Sequence, residues 1–424
     1  MLSKIYCFYN SKSIQKLKLR YSLIIIFSTF FHHYVFASAA SENPNKPFLS
    51  SIPAVLLEPS HEFNPKVSSL TLHPERSAIS PFTKKNKLSY TYKIQNNTEA
   101  PMVILIPGIG GTANSNAILY LSEVVYKLGY SVITLTSSTH WSFALAASTS
   151  GRTGHLPADS SDMYQVIKAI KVIIEEKFQI HPSQWGLIGI SYGTLDASFL
   201  LAQDLDQKEF KFNFLITINP PLSRSIAIEK VDQYFSIGAQ WPKRKKKALE
   251  LLFINRLLNV NQNINPIDTF NELEHAFPLE EQDLAWLMGD MFRRAILNTA
   301  YVGNRLENIP TQSSSDAFHG TMQNYLREKL YKKYYHAKSN KDYQRLENES
   351  ELSYALNKNN SESMKNKKVI LFHGMNDYLS FPEGEFILDQ LAVEKFVYSY
   401  GGHLGLLSDD KMIKDFQSVL LRLK

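Results

Sequence analysis

Short apolar runs alternate with helical patterns over the first half of the chain. The apolar runs are residues 102–106, 130–135, 185–190 and 212–218. The helical patterns between them are residues 116–128, 163–178 and 195–205. Strands joined by helices in this way are typical of a parallel sheet that is covered on both faces. Before them, residues 68–73 and 88–94 alternate apolar with polar positions, which predicts an initial strand pair.

The alternation stops after Pro220, and only helical patterns follow for roughly 145 residues. These patterns are residues 245–258, 268–275, 280–297 and 322–335. Strand-like runs return at residues 368–372 and 394–398, accompanied by helical patterns at 385–391 and 409–423. An insertion of this size far exceeds ordinary loop lengths and is typical of a lid or cap.

We therefore predict an α/β fold with a doubly wound, mostly parallel sheet and a large helical cap. The cap enters after the strand of residues 212–218. The predicted organisation is a signal peptide (1–39), a linker (40–66), the first part of the core (67–220), the cap (221–366) and the second part of the core (367–424). Pro, Ser and Asn make residues 40–66 a loose linker in this interpretation. The cap ends in a predicted mobile loop, residues 337–368, which is dense in Asn, Ser, Lys and Glu.

The net charge of +6 is concentrated at the N-terminus. The first 39 residues contain five basic residues and no acidic one, so the remainder carries only +1. This distribution gives no support to a nucleic-acid partner, and we expect none. A basic segment, an apolar core at residues 21–31 and the small residues 37–40 predict a cleaved secretory signal and a periplasmic or secreted protein. A permanent membrane anchor is the alternative. The only cysteine, Cys7, lies in this segment, so the mature chain would contain no disulfide.

The most informative motif is Gly189-Ile-Ser-Tyr-Gly193, which directly follows one apolar run and precedes a helical pattern. A serine between a buried strand and a helix, with glycines two residues to either side, is typical of a nucleophile elbow. Because a serine hydroxyl is a poor nucleophile at neutral pH, it needs an imidazole base, which in turn needs a carboxylate. Ser191 is therefore the candidate nucleophile.

The acid and base are expected after later strands, with the acid first along the chain. Asp377 lies a few residues beyond the run 368–372, and His403 lies in a glycine-flanked loop after the run 394–398. Asp409 and Asp410 follow His403 and so fall in the wrong order for the acid. We interpret His373, at the end of a strand, as a packed or hydrogen-bonded histidine.

Oxyanion donors are expected from the turn Pro107-Gly-Ile-Gly-Gly-Thr112, which lies between an apolar run and a helical pattern. The backbone amides of Ile109 and Tyr192 are the candidates, and such a donor stabilises a transition state by about 3 kcal/mol. The turn lacks both the dinucleotide-binding and the nucleotide-binding glycine spacings. We therefore expect no cofactor.

Together these motifs resemble the α/β-hydrolase superfamily over residues 88–220 and 368–424. The matching segments are the elbow, the acid loop Phe372-His-Gly-Met-Asn-Asp377 and the histidine loop Gly401-Gly-His-Leu-Gly405. Many members have His-Gly where this chain has Pro107-Gly108, which leaves the choice of oxyanion donor open. The resemblance implies the fold and a Ser-His-Asp triad, and it implies no particular substrate.

Other segments permit two interpretations. Trp141 and Phe143, near the predicted sheet edge, either line a substrate pocket or pack within a loop. The basic stretches 243–247 and 331–335 are either solvated faces or contacts with anionic lipid. No His, Cys or Asp cluster has zinc-like spacing, so we expect no metal. The sequence does not indicate an oligomeric state.

The sequence thus favours an exported serine hydrolase that acts on a carboxylic ester of a small molecule or lipid. Cleavage of an amide would demand leaving-group protonation and tighter positioning that no motif indicates. A serine peptidase and an acyltransferase on the same fold stay open as alternatives. So does a non-catalytic binding protein that has lost turnover.

Overall fold

The computed structural model describes residues 45–262, 270–359 and 368–424. The predicted signal peptide, residues 1–39, lies outside the described residues. No helix in the described ranges combines the length and apolar character needed to cross a membrane.

The centre of the molecule is an eight-stranded sheet with the order β1-β2-β4-β3-β5-β6-β7-β8. The strands are β1 Lys66–Leu70, β2 Leu88–Lys93, β3 Met102–Ile106, β4 Ser131–Thr134, β5 Trp185–Ile190, β6 Phe214–Ile218, β7 Lys368–Gly374 and β8 Glu394–Tyr398. The β1–β2 and β2–β4 pairs are antiparallel. All other neighbours are parallel. This arrangement confirms the predicted doubly wound, mostly parallel sheet.

The helices, numbered along the chain, are α1 Pro53–Leu56, α2 Asn116–Lys127, α3 Trp141–Ala146, α4 Leu156–Phe178, α5 Gly193–Gln207, α6 Arg224–Ile237, α7 Lys243–Gln262, α8 Phe270–Ala276, α9 Glu281–Leu306, α10 Met322–Tyr325, α11 Lys332–Tyr334, α12 Asn340–Asn348, α13 Leu352–Asn359, α14 Gly384–Gln390 and α15 Asp410–Leu423. Helices cover both faces of the sheet. Every residue of β3 is buried: Val103 and Leu105 pack with α2 and α15, and Ile104 and Ile106 with α4 and α5. Burial on both faces explains why the central strands are continuous apolar runs.

Between β6 and β7 the described residues form helices and no strand. The longest, α9, packs along α6 so closely that a Cβ atom on Gly289 would lie 2.5 Å from the Phe235 nitrogen. Side chains of α9 such as Leu284 and Trp286 are buried with residues of α6, α8 and the N-terminal segment. The helix also packs against α3.

Two segments differ from the sequence predictions. Residues 340–359 belong to α12 and α13 rather than to a mobile loop: Ser339 and Asp342 form a capping box, and Leu346 and Leu352 are buried. The composition concealed these helices because most of their residues are polar and only a few face the core. Within the basic stretch 331–335, Tyr331 is fully buried and so does not form a solvated face.

The second difference concerns residues 48–57, which were predicted as part of a loose linker. They form a short helical turn, Leu49–Ser51, followed by α1, and Phe48, Leu49 and Ile52 are buried. Glu281 at the start of α9 accepts hydrogen bonds from the backbone amides of Phe48 and Leu49, at 3.0 and 2.9 Å. This N-terminal segment is therefore packed into the protein beside the candidate site.

Candidate active site

Ser191 lies on the sharp turn between β5 and α5. Its φ of 50° is in the left-handed region, and its backbone N–H donates to the Ile218 carbonyl of β6 at 2.9 Å. A Cβ atom on Gly189 would lie 2.5 Å from the Gly193 oxygen, and one on Gly193 would lie 2.3 Å from the Ile106 oxygen. Both glycines are thus required by the close approach of strand and helix, as an elbow demands.

The structure brings Ser191, His403 and Asp377 together. The Nε2 atom of His403 is 2.7 Å from Ser191 Oγ, and its Nδ1 atom is 2.9 Å from Asp377 Oδ2. The other oxygen, Oδ1, accepts the Leu379 backbone N–H at 3.0 Å. With a proton on Nδ1 donated to the carboxylate, Nε2 is free to accept the serine proton. All three residues are buried.

Burial would by itself raise the pKa of Asp377. The opposite charge of His403 and the hydrogen bonds from His403 and Leu379 outweigh this effect and hold the pKa below its usual value. His373 differs: burial lowers its pKa to about 4, and its ring nitrogens have no hydrogen-bond partner among the described residues. His373 is therefore a packed neutral histidine rather than a rival base.

The sequence analysis missed Asn219, which follows β6. Its Nδ2 donates to Asp377 Oδ2 at 3.0 Å and to the Gly402 carbonyl at 3.2 Å, so it links the acid to the histidine loop. The side chain is fully buried, and the backbone φ of 46° is left-handed. Asparagine tolerates this conformation better than most residues. An Asn at the end of a buried strand was the available signal.

The N-terminal segment also reaches the site. Ser51 Oγ accepts the backbone N–H of His403 at 2.7 Å and donates to the Pro47 carbonyl at 2.6 Å. A Cβ atom on Gly402 would lie 2.1 Å from the Pro47 oxygen, so the glycine is needed for this contact. No sequence signal joined Ser51 to a residue 352 positions away.

The glycine turn after β3 lies beside the nucleophile. A Cβ atom on Gly108 would be 2.9 Å from Ser191 Cβ. Gly110 donates its N–H to Thr139 Oγ1 at 2.9 Å, which fixes the turn. Within the described part of the chain, the predicted oxyanion amides of Ile109 and Tyr192 donate to no assigned protein acceptor. Ile109 and Tyr192 are therefore available to a negative oxygen formed next to Ser191.

Two cavities meet at Ser191. The larger, about 270 Å³, is bounded by the glycine turn, His403, α9 and the N-terminal segment. The smaller, about 50 Å³, lies toward α6 and α10. Ile109 and Phe292 border both cavities together with Ser191. A substrate whose reacting carbonyl lies at Ser191 can therefore place one part in each cavity.

The structure separates the two candidate pocket residues. Trp141 lines the larger cavity and stacks on Phe82 with ring centroids 5.1 Å apart. Phe143, two residues later on α3, is fully buried in the core against the sheet and borders neither cavity. The pocket interpretation therefore fails for Phe143, because the segment is a helix that turns it away from Trp141.

Among the residues that the structure describes, no group of three His, Cys, Asp or Glu side chains could hold a metal ion.

The order of the functional loops along the sheet decides the fold type. Ser191 follows β5, Asp377 follows β7 and His403 follows β8, all at the carboxyl edge of one mostly parallel sheet. The chain has the α/β-hydrolase fold. In this α/β-hydrolase fold the glycine turn after β3 lies beside Ser191, and residues of α9 line the larger cavity.

Solved structures similar to this chain include an acylaminoacyl peptidase from Pyrococcus horikoshii, with 11% identity and a TM-score of 0.40 over 85% of this chain. The chain spans only 40% of that peptidase's length. A bacterial membrane phospholipase A matches with 14% identity and a TM-score of 0.44, over 90% of this chain and 92% of its own. The Pyrococcus furiosus esterase Pf2001 matches with 13% identity and a TM-score of 0.43, over 85% and 92%. No family model matches the chain, and no curated protein does either.

Proposed function

We propose that this protein is a serine hydrolase that cleaves a carboxylic ester through an acyl-enzyme. The observation that carries the proposal is the continuous hydrogen-bonded relay from Ser191 through His403 to Asp377, with distances of 2.7 and 2.9 Å. Such a relay lets a serine hydroxyl act as a nucleophile near neutral pH.

In the first half of the proposed reaction, Ser191 Oγ attacks the ester carbonyl while His403 Nε2 takes the hydroxyl proton. The amides of Ile109 and Tyr192 donate to the oxygen that becomes negative. Collapse of the tetrahedral intermediate breaks the bond to the alcohol oxygen, and His403 gives its proton to that oxygen. The acyl group is then bound to Ser191 as an ester.

In the second half, His403 takes a proton from water, and the resulting hydroxide attacks the acyl carbonyl. The Ser191–acyl bond breaks, His403 returns the proton to Ser191 Oγ, and the carboxylic acid leaves. Asp377 remains ionised throughout and stabilises the charged imidazole. Asn219 holds Asp377 in place during both halves.

Labelling with a fluorophosphonate probe tests the nucleophile. Wild type and the control Ser198→Ala, on the same helix but outside both cavities, are expected to label, and Ser191→Ala is not. A folded wild type that resists labelling would show a protein that has lost turnover, and it would remove the enzyme proposal.

The bond that is cleaved is tested separately. A chain-length series of p-nitrophenyl esters, a panel of aminoacyl anilides and an added alcohol acceptor are compared on the same preparation. We expect ester hydrolysis to have the highest kcat/KM. Faster anilide cleavage would identify a peptidase instead, and ester formation with the alcohol in preference to hydrolysis would identify an acyltransferase.

We also propose, on the sequence alone, that the enzyme is exported with removal of its N-terminal segment. Fractionation of cells expressing the full chain, followed by N-terminal sequencing of the product, tests this. A product that begins near residue 40 outside the cytoplasm is expected. An uncleaved product in the membrane fraction would instead support an anchor.

A further inference from the structure

The smaller cavity beside Ser191 has an apolar wall with one charged exception. Its wall includes Ala227 and Val231 of α6, Met322 of α10 and Leu379 of the acid loop. Arg224, the first residue of α6, lies in the same wall and is only 2% exposed. A guanidinium in an apolar, water-excluded wall is strongly unfavourable unless an anion or several acceptors compensate it.

The protein compensates Arg224 only in part. Nη2 donates to the Gly154 carbonyl at 2.5 Å, and Nη1 lies 3.4 Å from the Tyr331 hydroxyl. Nε has no acceptor. Across residues 45–262, 270–359 and 368–424, no carboxylate lies within ion-pair distance of this side chain. The other buried arginine on this side, Arg152, has its counterion in Glu307 at 2.6 Å.

The acid that acts on Arg224 through its charge is Asp159, and it does not supply a counterion. Its carboxyl group instead accepts the Gly154 backbone N–H at 2.6 Å. Burial raises the pKa of Asp159 well above its ordinary value, although the Gly154 amide and the charge of Arg224 both lower it. Among the described residues, the Asp159 carboxyl group is bonded to the Gly154 amide and forms no ion pair with Arg224, so the guanidinium lacks a paired carboxylate.

A second donor in the same wall also lacks an acceptor. Tyr325 lines the small cavity and is 3% exposed, and its hydroxyl has no acceptor among the described residues, because the neighbouring Arg152 guanidinium is itself a donor. The wall of this cavity therefore contains a buried cation and a hydroxyl that has no acceptor among the described residues, and Ser191 lines the same cavity. Such a pair matches the acceptor oxygens of a carboxylate.

The position of the base decides which part of the substrate enters this cavity. His403 lines the larger cavity and not the smaller one. Because His403 protonates the departing alcohol, the alcohol must lie on its side of Ser191. The acyl chain then points into the smaller cavity, toward Arg224.

We propose that the smaller cavity is an acyl site for a short chain that ends in a carboxylate, which pairs with Arg224 and accepts from Tyr325. The proposal rests on the serine hydrolase function proposed above. A volume of about 50 Å³ admits about three to five non-hydrogen atoms beyond the reacting carbonyl, at 10–15 Å³ for each water-sized group. The substrate class is thus a half-ester of a short dicarboxylic acid, with the larger cavity holding the alcohol.

Three benzyl esters test the charge requirement: benzyl hemisuccinate, the isosteric but neutral benzyl succinamate, and benzyl pentanoate. Release of benzyl alcohol by the full chain is measured by chromatography. Wild type is expected to hydrolyse the hemisuccinate with a kcat/KM about 10–100 times that of the other two, the range of a charge-assisted hydrogen bond. Equal or faster cleavage of the neutral esters by an enzyme that labels at Ser191 overturns the acyl site and leaves the hydrolase intact.

Substitutions assign the effect to residues. Arg224→Met is expected to lower kcat/KM for the hemisuccinate about 100-fold and to change that for the pentanoate less than about threefold. A purely structural arginine would lower both equally, and that result contradicts the proposal. Tyr325→Phe is expected to lower only the hemisuccinate value, about fivefold, and it decides the matter if Arg224→Met does not fold. The matched control Arg327→Met, which removes an arginine paired with Glu347 outside the cavity, should leave the ratio unchanged.

Binding gives a readout that does not depend on turnover. Succinate is expected to raise the melting temperature of wild type and of Ser191→Ala, and not that of Arg224→Met. Equal shifts in all three proteins contradict the anion site. If wild type neither labels nor cleaves any ester but succinate still binds through Arg224, the hydrolase proposal fails and the anion site stands.

Discussion

The loops at the carboxyl edge of the sheet and the helices between β6 and β7 form the site in different ways. The loops hold Ser191, Asp377 and His403 through backbone geometry and short hydrogen bonds. The helices supply cavity walls through side chains that pack on each other, such as those of α6 and α9. We infer that the first region sets the reaction and the second sets which molecule undergoes it.

The largest effect is expected from a substitution in the loops at the carboxyl edge that leaves the helices between β6 and β7 unchanged. Asp377→Asn is expected to lower kcat by about 10³–10⁴-fold for every ester, because the imidazole loses its correct tautomer and its counterion. Steady-state kinetics on two unrelated esters measure it. Asp409→Asn is the control, since Asp409 caps α15 through Met412 N–H at 2.7 Å. If Asp409→Asn were the more damaging change, the acid would be assigned wrongly.

A smaller effect on the same side is expected from Asn219→Ala. The variant removes one of two donors to Asp377 Oδ2, so kcat should fall about tenfold while KM stays unchanged. The loss should be the same for substrates with charged and neutral acyl chains. A change in the ratio between such substrates would show that Asn219 acts on the cavities rather than on the acid.

Two aromatic residues of α3, Trp141 and Phe143, test which positions line the cavity and which belong to the core. Phe143→Ala should lower the free energy of unfolding by about 3–5 kcal/mol with little change in substrate preference, because it empties a fully buried position. Trp141→Ala should lower stability less than Phe143→Ala does, because Trp141 is only partly buried, and it should raise KM about fivefold for esters with large alcohols. Denaturant unfolding and kinetics on both variants are required. Interchanged results would place Phe143 in the site after all.

A further expected effect is a pH dependence of stability on the sheet side. Burial raises the pKa of Asp196 to about 7, against hydrogen bonds from Ser138 that lower it. The pKa of Asp196 is higher in the folded state than in the unfolded state, so the neutral carboxyl group is favoured by folding. Its contribution to stability is complete below about pH 4 and is lost as the pH rises to 7. Urea unfolding of wild type should weaken over that interval relative to Asp196→Asn, by at most about 1.4 kcal/mol per pH unit. Parallel curves would show that Asp196 is ionised throughout.

The sheet and the three candidate catalytic positions could be predicted because each depends on a local pattern. For Ser191 and His403, an apolar run followed by a glycine-flanked residue predicts both the strand and the loop from about a dozen neighbouring residues. Ser51, Asn219 and Arg224 could not be found in this way. Their partners are distant in sequence, and an isolated Ser, Asn or Arg at a helix end is usually a surface residue.

The failed predictions have a related cause. Residues 48–57 contain Phe48, Leu49 and Ile52 at helical spacing, but neighbouring prolines and serines dominate the composition. Amino-acid composition predicts whether a segment is ordered only in the absence of contacts with the rest of the protein. Here Glu281 and the histidine loop hold the segment in place, and only the folded structure shows those contacts.

The bond from the His403 backbone to Ser51 has a consequence for biosynthesis. The loop that carries the candidate base is held by Ser51, yet the loop itself is synthesised 352 residues later than Ser51. A nascent chain that contains Ser191 but not residue 403 has an elbow without a base. On the proposed function, catalytic competence therefore requires that residue 403 has been synthesised and has met Ser51, which is a long-range folding event.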